Sequence, residues 1–110
     1  MITPRNPPGR AYLNGNSILF KIGREEHHIE VPKLLRVIRH GYNETLLNED
    51  NRHSGIVSWN DEDTVLVCLD KRSYCVYVDA LKSVISMRQT AAPLTELDPG
   101  QCASWGCADD

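Results

Sequence analysis

Two stretches of this sequence repeat one another. Residues 17–38 align with 64–85 without a gap, at an offset of 47 residues (17 onto 64). Five aligned pairs are identical: Leu19 with Leu66, Val31 with Val78, Leu34 with Leu81, Val37 with Val84, and Ile38 with Ile85. Ile18 with Val65, Ile29 with Val76 and Arg24 with Lys71 are conservative. Any two strand–strand–helix units share an apolar phase, which accounts for part of this match. Equal turn lengths and the gapless register favour a duplication. Upstream, Tyr12 falls on Trp59, which predicts one further strand in each unit.

Local signals give each unit its order. Asn14-Gly15-Asn16 reads as a turn, and Ser17 to Ile22 as a strand. Gly23 to Glu26 reads as a second turn, and His27 to Val31 alternates like a half-buried strand. Pro32 suits the first turn of a helix, where its missing N–H costs nothing. Leu34, Leu35, Val37 and Ile38 continue at helical spacing to Gly41, a plausible stop. In the second unit, Thr64 to Leu69 and Tyr74 to Val78 are the strands, separated by a turn over Asp70 to Ser73. Asp79 is placed to cap a helix from Ala80 to about Thr90.

With four-residue turns, Ile22 stands opposite His27, Phe20 opposite Ile29, and Ile18 opposite Val31. Side chains alternate between faces along a strand. One apolar face therefore gathers Ile18, Phe20, Ile22, Ile29 and Val31, and its counterpart gathers Val65, Val67, Leu69, Val76 and Val78. One hairpin with a short helix cannot bury such a face alone, but two units can. The expected fold is α+β and β-rich: a small barrel or sandwich of two pseudo-twofold-related strand–strand–(strand)–helix repeats. Residues 10–94 are expected to form a single domain, with repeats at about 10–41 and 55–90 joined by a connector, 42–54. Residues 1–9 are expected to be a flexible lead, and 95–110 a mobile tail.

The outward positions differ between units. Leu19, Lys21, His28 and Glu30 are mostly polar, whereas Leu66, Cys68, Cys75 and Tyr77 are nearly all apolar. A solvated sheet face is not built from the second set. Either another part of the chain covers it or another molecule does.

Other features carry less. Cys68 and Cys75 are expected to be cross-strand neighbours, able to form a disulfide or half a metal site, with Cys102 and Cys107 as further thiolates. Their spacings are not those of zinc knuckles, so no metal or other cofactor is expected. Adjacent His27 and His28 point to opposite strand faces and cannot readily share an ion, and His40 and His53 stand alone. Asp61-Glu62-Asp63 and Glu49-Asp50 lack the calcium-loop pattern and read as solvated turns. Motifs for a serine elbow, a phosphate loop or a zinc protease are missing from the sequence. Lys33, Arg36 and Arg39 recur every three residues, with His40 beside the last, as a basic helix stripe. Such a stripe is a solvated amphipathic face or a phosphate contact.

The formal net charge of −3 gives no bulk attraction to nucleic acid or anionic lipid, and leaves a local basic face open. The first residues, with Pro4, Pro7 and Pro8, have no apolar segment of signal-peptide type, so a cytoplasmic, reducing location is the default. The leading expectation is a non-enzymatic protein-interaction module, self-associating or binding another protein through Leu66, Cys68, Cys75 and Tyr77. The alternative is a small nucleic-acid-binding regulator using Lys33, Arg36 and Arg39. A further alternative is a small-ligand pocket between the two units. No membrane partner is expected.

Overall fold

Two-residue alternation makes each strand two-faced, and the apolar faces here turn inward on one another. A computed structural model describes residues 9–97 of the chain. Within them eight strands follow in order: β1 (Gly9–Asn14), β2 (Ser17–Ile22), β3 (Glu25–Glu30), β4 (Glu44–Leu47), β5 (His53–Trp59), β6 (Thr64–Cys68), β7 (Ser73–Tyr77) and β8 (Ala91–Glu96). Helix α1 (Val31–His40) lies between β3 and β4, and α2 (Val78–Ile85) between β7 and β8. Each strand pairs antiparallel with the next, and β8 returns to β1 to close a barrel. Of the two architectures the sequence left open, the barrel is the one formed.

An eight-stranded barrel has an interior just wide enough for side chains to fill. Here Ala11, Ile18, Phe20, Ile29, Leu46, Val57, Val65, Val67, Tyr74, Val76, Ala92 and Leu94 fill it. Leu34 and Val37 from α1, and Val78, Leu81 and Val84 from α2, join the same cluster. Both helices therefore close the barrel with their apolar sides. Each starts against a hairpin loop: Val31 N–H donates to the Asn16 carbonyl at 2.9 Å, and Val78 N–H to the Asp63 carbonyl at 2.7 Å.

The hairpins are tighter than expected. Ile22 faces Glu25, Phe20 faces His27 and Ile18 faces Ile29, a shift of two residues from the expected pairing. Gly23 adopts φ of +60°, which a residue with a Cβ rarely does, so the turn closes in two residues. A shift of two leaves the side chains within the strands on their expected faces, whereas Val31 and Val78, expected at strand ends, open the two helices instead. The same shift occurs in the second hairpin, where Cys68 faces Ser73 and Leu66 faces Cys75. Cys68 and Cys75 are therefore diagonal neighbours, not directly opposed.

Other expectations change at element ends. α2 ends at Ile85, short of Thr90, with Met87 at φ of +67° just beyond it. Its N-cap is Tyr77, and Asp79 lies inside the first turn. Strand β4 occupies part of the expected connector, and β8 reaches to Glu96. Ser58, not Trp59, takes the place matching Tyr12: Tyr12 faces Leu19, and Ser58 faces Leu66. Measured between matching ladder pairs, Leu13 with Ile18 and Trp59 with Val65, the second connection is one residue longer, which moves the alignment by one upstream of it.

Candidate functional site

Helix α1 has an unusual charge pattern for a solvated helix. Its ten residues, VPKLLRVIRH, hold Lys33, Arg36 and Arg39 and no acidic residue. Exposed faces of amphipathic helices ordinarily mix signs, because opposed charges at helical spacing support one another. Helix α2 does mix them, with Asp79 and Lys82. Leu34 and Val37 anchor α1 in the core, which turns Arg36, Arg39 and His40 outward. Lys33 is half-buried. Pro32, Leu35, Arg36, Arg39 and His40 line a shallow concavity of about 210 Å³. The Glu44 carboxylate lies 3.9 Å from Arg36 Nε. At that separation the pairing is loose and leaves most of the guanidinium free.

An aromatic pair stands at the end of this face. The helix stops because Gly41 takes the left-handed conformation (φ of +71°), with its N–H bonded to the Val37 carbonyl at 3.0 Å. The chain then presents Tyr42, which is 55% exposed. Its ring centroid lies 5.7 Å from that of His40, tilted by 38°. Cations, a shallow floor and an open aromatic ring therefore adjoin one another along α1.

A second group of polar residues gathers around β3, β5 and the β6–β7 turn. His27 is inward-facing and only 6% exposed. Its Nε2 lies 3.1 Å from Glu25 Oε1, and its Nδ1 lies 2.8 Å from Ser54 Oγ. A carboxylate only accepts, so Nε2 carries the proton, and in the neutral ring Nδ1 accepts from the Ser54 hydroxyl. Arg72 donates to both Glu25 oxygens at 3.1 Å. The hydrogen bond from His27 and the charge of Arg72 hold the Glu25 carboxyl below its ordinary range. Concavities of about 340 and 300 Å³ lie on either side of His27 and Ser54. Hydroxyl, imidazole and carboxylate in series are the order used by nucleophile–base relays. Here the carboxylate is committed to Arg72 as well, and the network ties three segments of the barrel together.

The apolar outer face is largely covered. Leu66 is 3% and Cys68 8% exposed, and Cys75 is half-buried. Tyr77 alone of the four stands open, at 60%, with Ile56 at 38% on β5. Burial pushes the thiols of Cys68 and Cys75 above their ordinary range. Cys102 and Cys107 lie outside the described residues.

Among the described residues, no group of three or more His, Cys, Asp or Glu side chains is placed to hold a metal ion. None of the described helices is long and apolar enough to cross a membrane. No family model, curated protein or solved structure matches the chain. Of these residues only the α1 cations stand out in the sequence; Tyr42, Ser54 and the Glu25–Arg72 pair do not. The last was available in principle, because the two positions coincide under the 47-residue offset.

Proposed function

We propose that this chain is a non-enzymatic nucleic-acid-binding module, a duplicated barrel that presents α1 to a phosphate backbone. The observation that carries this reading is a ten-residue helix with three cations, no acid, and an outward face adjoining a shallow concavity. Lys33 to Arg39 spans about 9 Å of helix axis, enough for two or three phosphates. Single strands lose affinity with salt at a slope of about −0.7 per phosphate neutralised, so the expected slope is about −2. Fluorescence anisotropy with a labelled oligonucleotide across a salt series tests it. A slope near −2 that falls towards zero in Arg36→Glu/Arg39→Glu supports the reading. No saturable binding at low salt sinks it.

Several relations favour a duplicated origin with a pseudo-twofold axis. The β2–β3 register recurs in β6–β7 at the 47-residue offset, as Ile18 with Ile29 and Val65 with Val76 illustrate. The helix-start hydrogen bonds Val31 to Asn16 and Val78 to Asp63 recur at the same offset. Duplication explains why α1 and α2 hold matching places while only α1 is basic: one copy kept a structural role and the other diverged.

A second reading is retained for the exposed Tyr77 and Ile56. They flank the covered strip of Leu66 and Cys68, and a protein partner or second copy would pack on them. Its test is the oligomeric state of wild type against Tyr77→Glu.

A further inference from the structure

We propose that the ligand of α1 is a single strand of nucleic acid, with one unpaired base stacked on Tyr42. The inference rests on the reading of α1 as the phosphate contact and adds the strandedness of the ligand. A duplex keeps its bases stacked on one another, so an exposed aromatic ring beside a phosphate track gains nothing from it. Single strands expose the face of every base, and proteins that bind them combine a positive track with aromatic platforms. Both parts adjoin here. Tyr42 is 55% exposed, its ring is braced by His40 at 5.7 Å, and His40 itself lines the concavity shared with Arg36 and Arg39.

The arrangement also sets a direction. The phosphate track runs along α1 from Lys33 to Arg39, and the stacking position lies beyond its C-terminal end. Gly41 makes the sharp exit that puts Tyr42 there, directly after the last cation-bearing turn. A strand lying on the helix therefore meets cations first and the ring last. Stacking on any base is sequence-tolerant because every base has a π-face, so little sequence preference is expected.

The test is anisotropy at low salt with a fluorescein-labelled oligo-dT of about 12 nucleotides, a length within the usual site sizes of single-strand modules. A mixed-sequence duplex of the same length and an oligo-U strand are run beside it. The expected result is tighter binding of the single strands than of the duplex. Tyr42→Ala weakens the single strands about tenfold and leaves the duplex unchanged, while Tyr42→Phe retains binding. Tyr42 is exposed, so circular dichroism should show both variants folded. Equal binding of duplex and single strand, with no effect of Tyr42→Ala, overturns the inference and leaves the α1 reading standing. Absence of binding to all three overturns both.

Discussion

Glu25 and Arg72 stand 47 residues apart in the chain and meet side chain to side chain, both carboxylate oxygens 3.1 Å from one guanidinium nitrogen. That separation equals the offset relating the two halves of the sequence. Under the proposed duplication the two would be equivalent residues, which touch only beside the axis relating the copies. In a dimer of identical units such a position would oppose two like charges. A duplication within a single chain would let the two positions diverge to opposite sign.

Glu25 and Arg72 are both about half-exposed, so the pair is expected to contribute about 0.2–1 kcal/mol. Glu25→Arg alone should destabilise by repulsion against Arg72, and Glu25→Arg with Arg72→Glu should recover most of the loss. Urea denaturation of the four proteins in the cycle checks this. Equal stability in all four would remove the pair from the account.

The same carboxylate gives a pH dependence with a definite sign. Its folded pKa is lowered, so its contribution is fully present above the unfolded value and is lost as pH falls through the folded one. Asp61 acts in the same direction, held low by the N–H of Asp63 and by Thr64. Stability should therefore decline below about pH 4, and the decline should be shallower in Arg72→Ala. Thermal unfolding from pH 7 to pH 3 measures both slopes.

Close packing at two glycines makes the next prediction. A Cβ on Gly55 would stand 2.7 Å from the Cys68 carbonyl oxygen, and one on Gly9 would stand 2.5 Å from that of Lys21. Cys68 and Lys21 are themselves 47 residues apart. Gly55→Ala should cost about 1–3 kcal/mol, as overpacking does, with Gly9→Ala similar. Denaturant midpoints within error of wild type would contradict both.

Cys68 and Cys75 should remain thiols. Their diagonal placement sets the Cβ atoms about 7 Å apart, well beyond disulfide reach. Burial also raises both pKa values, which lowers the thiolate fraction at neutral pH. In a Cys102→Ser/Cys107→Ser background, neither thiol should react quickly with a thiol reagent at pH 7, and both should react on unfolding. An oxidised mass two hydrogens lighter, in native protein, would contradict this.

Leu66 and Tyr77 share an outer face but differ in exposure, so the same charge should act differently on them. Leu66→Glu buries a carboxylate and should unfold the barrel or cost about 3 kcal/mol or more. Tyr77→Glu should leave the fold intact. If wild type self-associates, light scattering should show Tyr77→Glu as a monomer. A dimer undisturbed by that change would remove Tyr77 from the interface.

The interior was the most legible part of the sequence. Ile18, Phe20, Ile29, Val65, Val67 and Val76 point inward as their alternation requires, even though both hairpin registers differ by two from expectation. Strand faces depend on parity, and parity survives an even shift. β4 and β8 were harder to see. The four residues of β4, Glu44–Leu47, are too short to show a period, and Pro93 argues against a strand in β8. The α1 cations were visible as a stripe. Gly41 was legible as the helix stop, but the placement of the Tyr42 ring beside His40 was not, because it depends on how the two side chains turn after that stop.

A ligand seated on α1 would be felt first by the backbone amides of that helix and of the residues just after it. Chemical-shift mapping of those amides on the labelled full chain, during titration with a single-stranded oligonucleotide at low salt, reads this out. Perturbations are expected to centre on Lys33, Arg36, Arg39, His40 and Tyr42, with the amides around Tyr77 and around His27 unmoved. Perturbations centred on Tyr77 and Ile56, or on His27 and Ser54, or none at all, would contradict it.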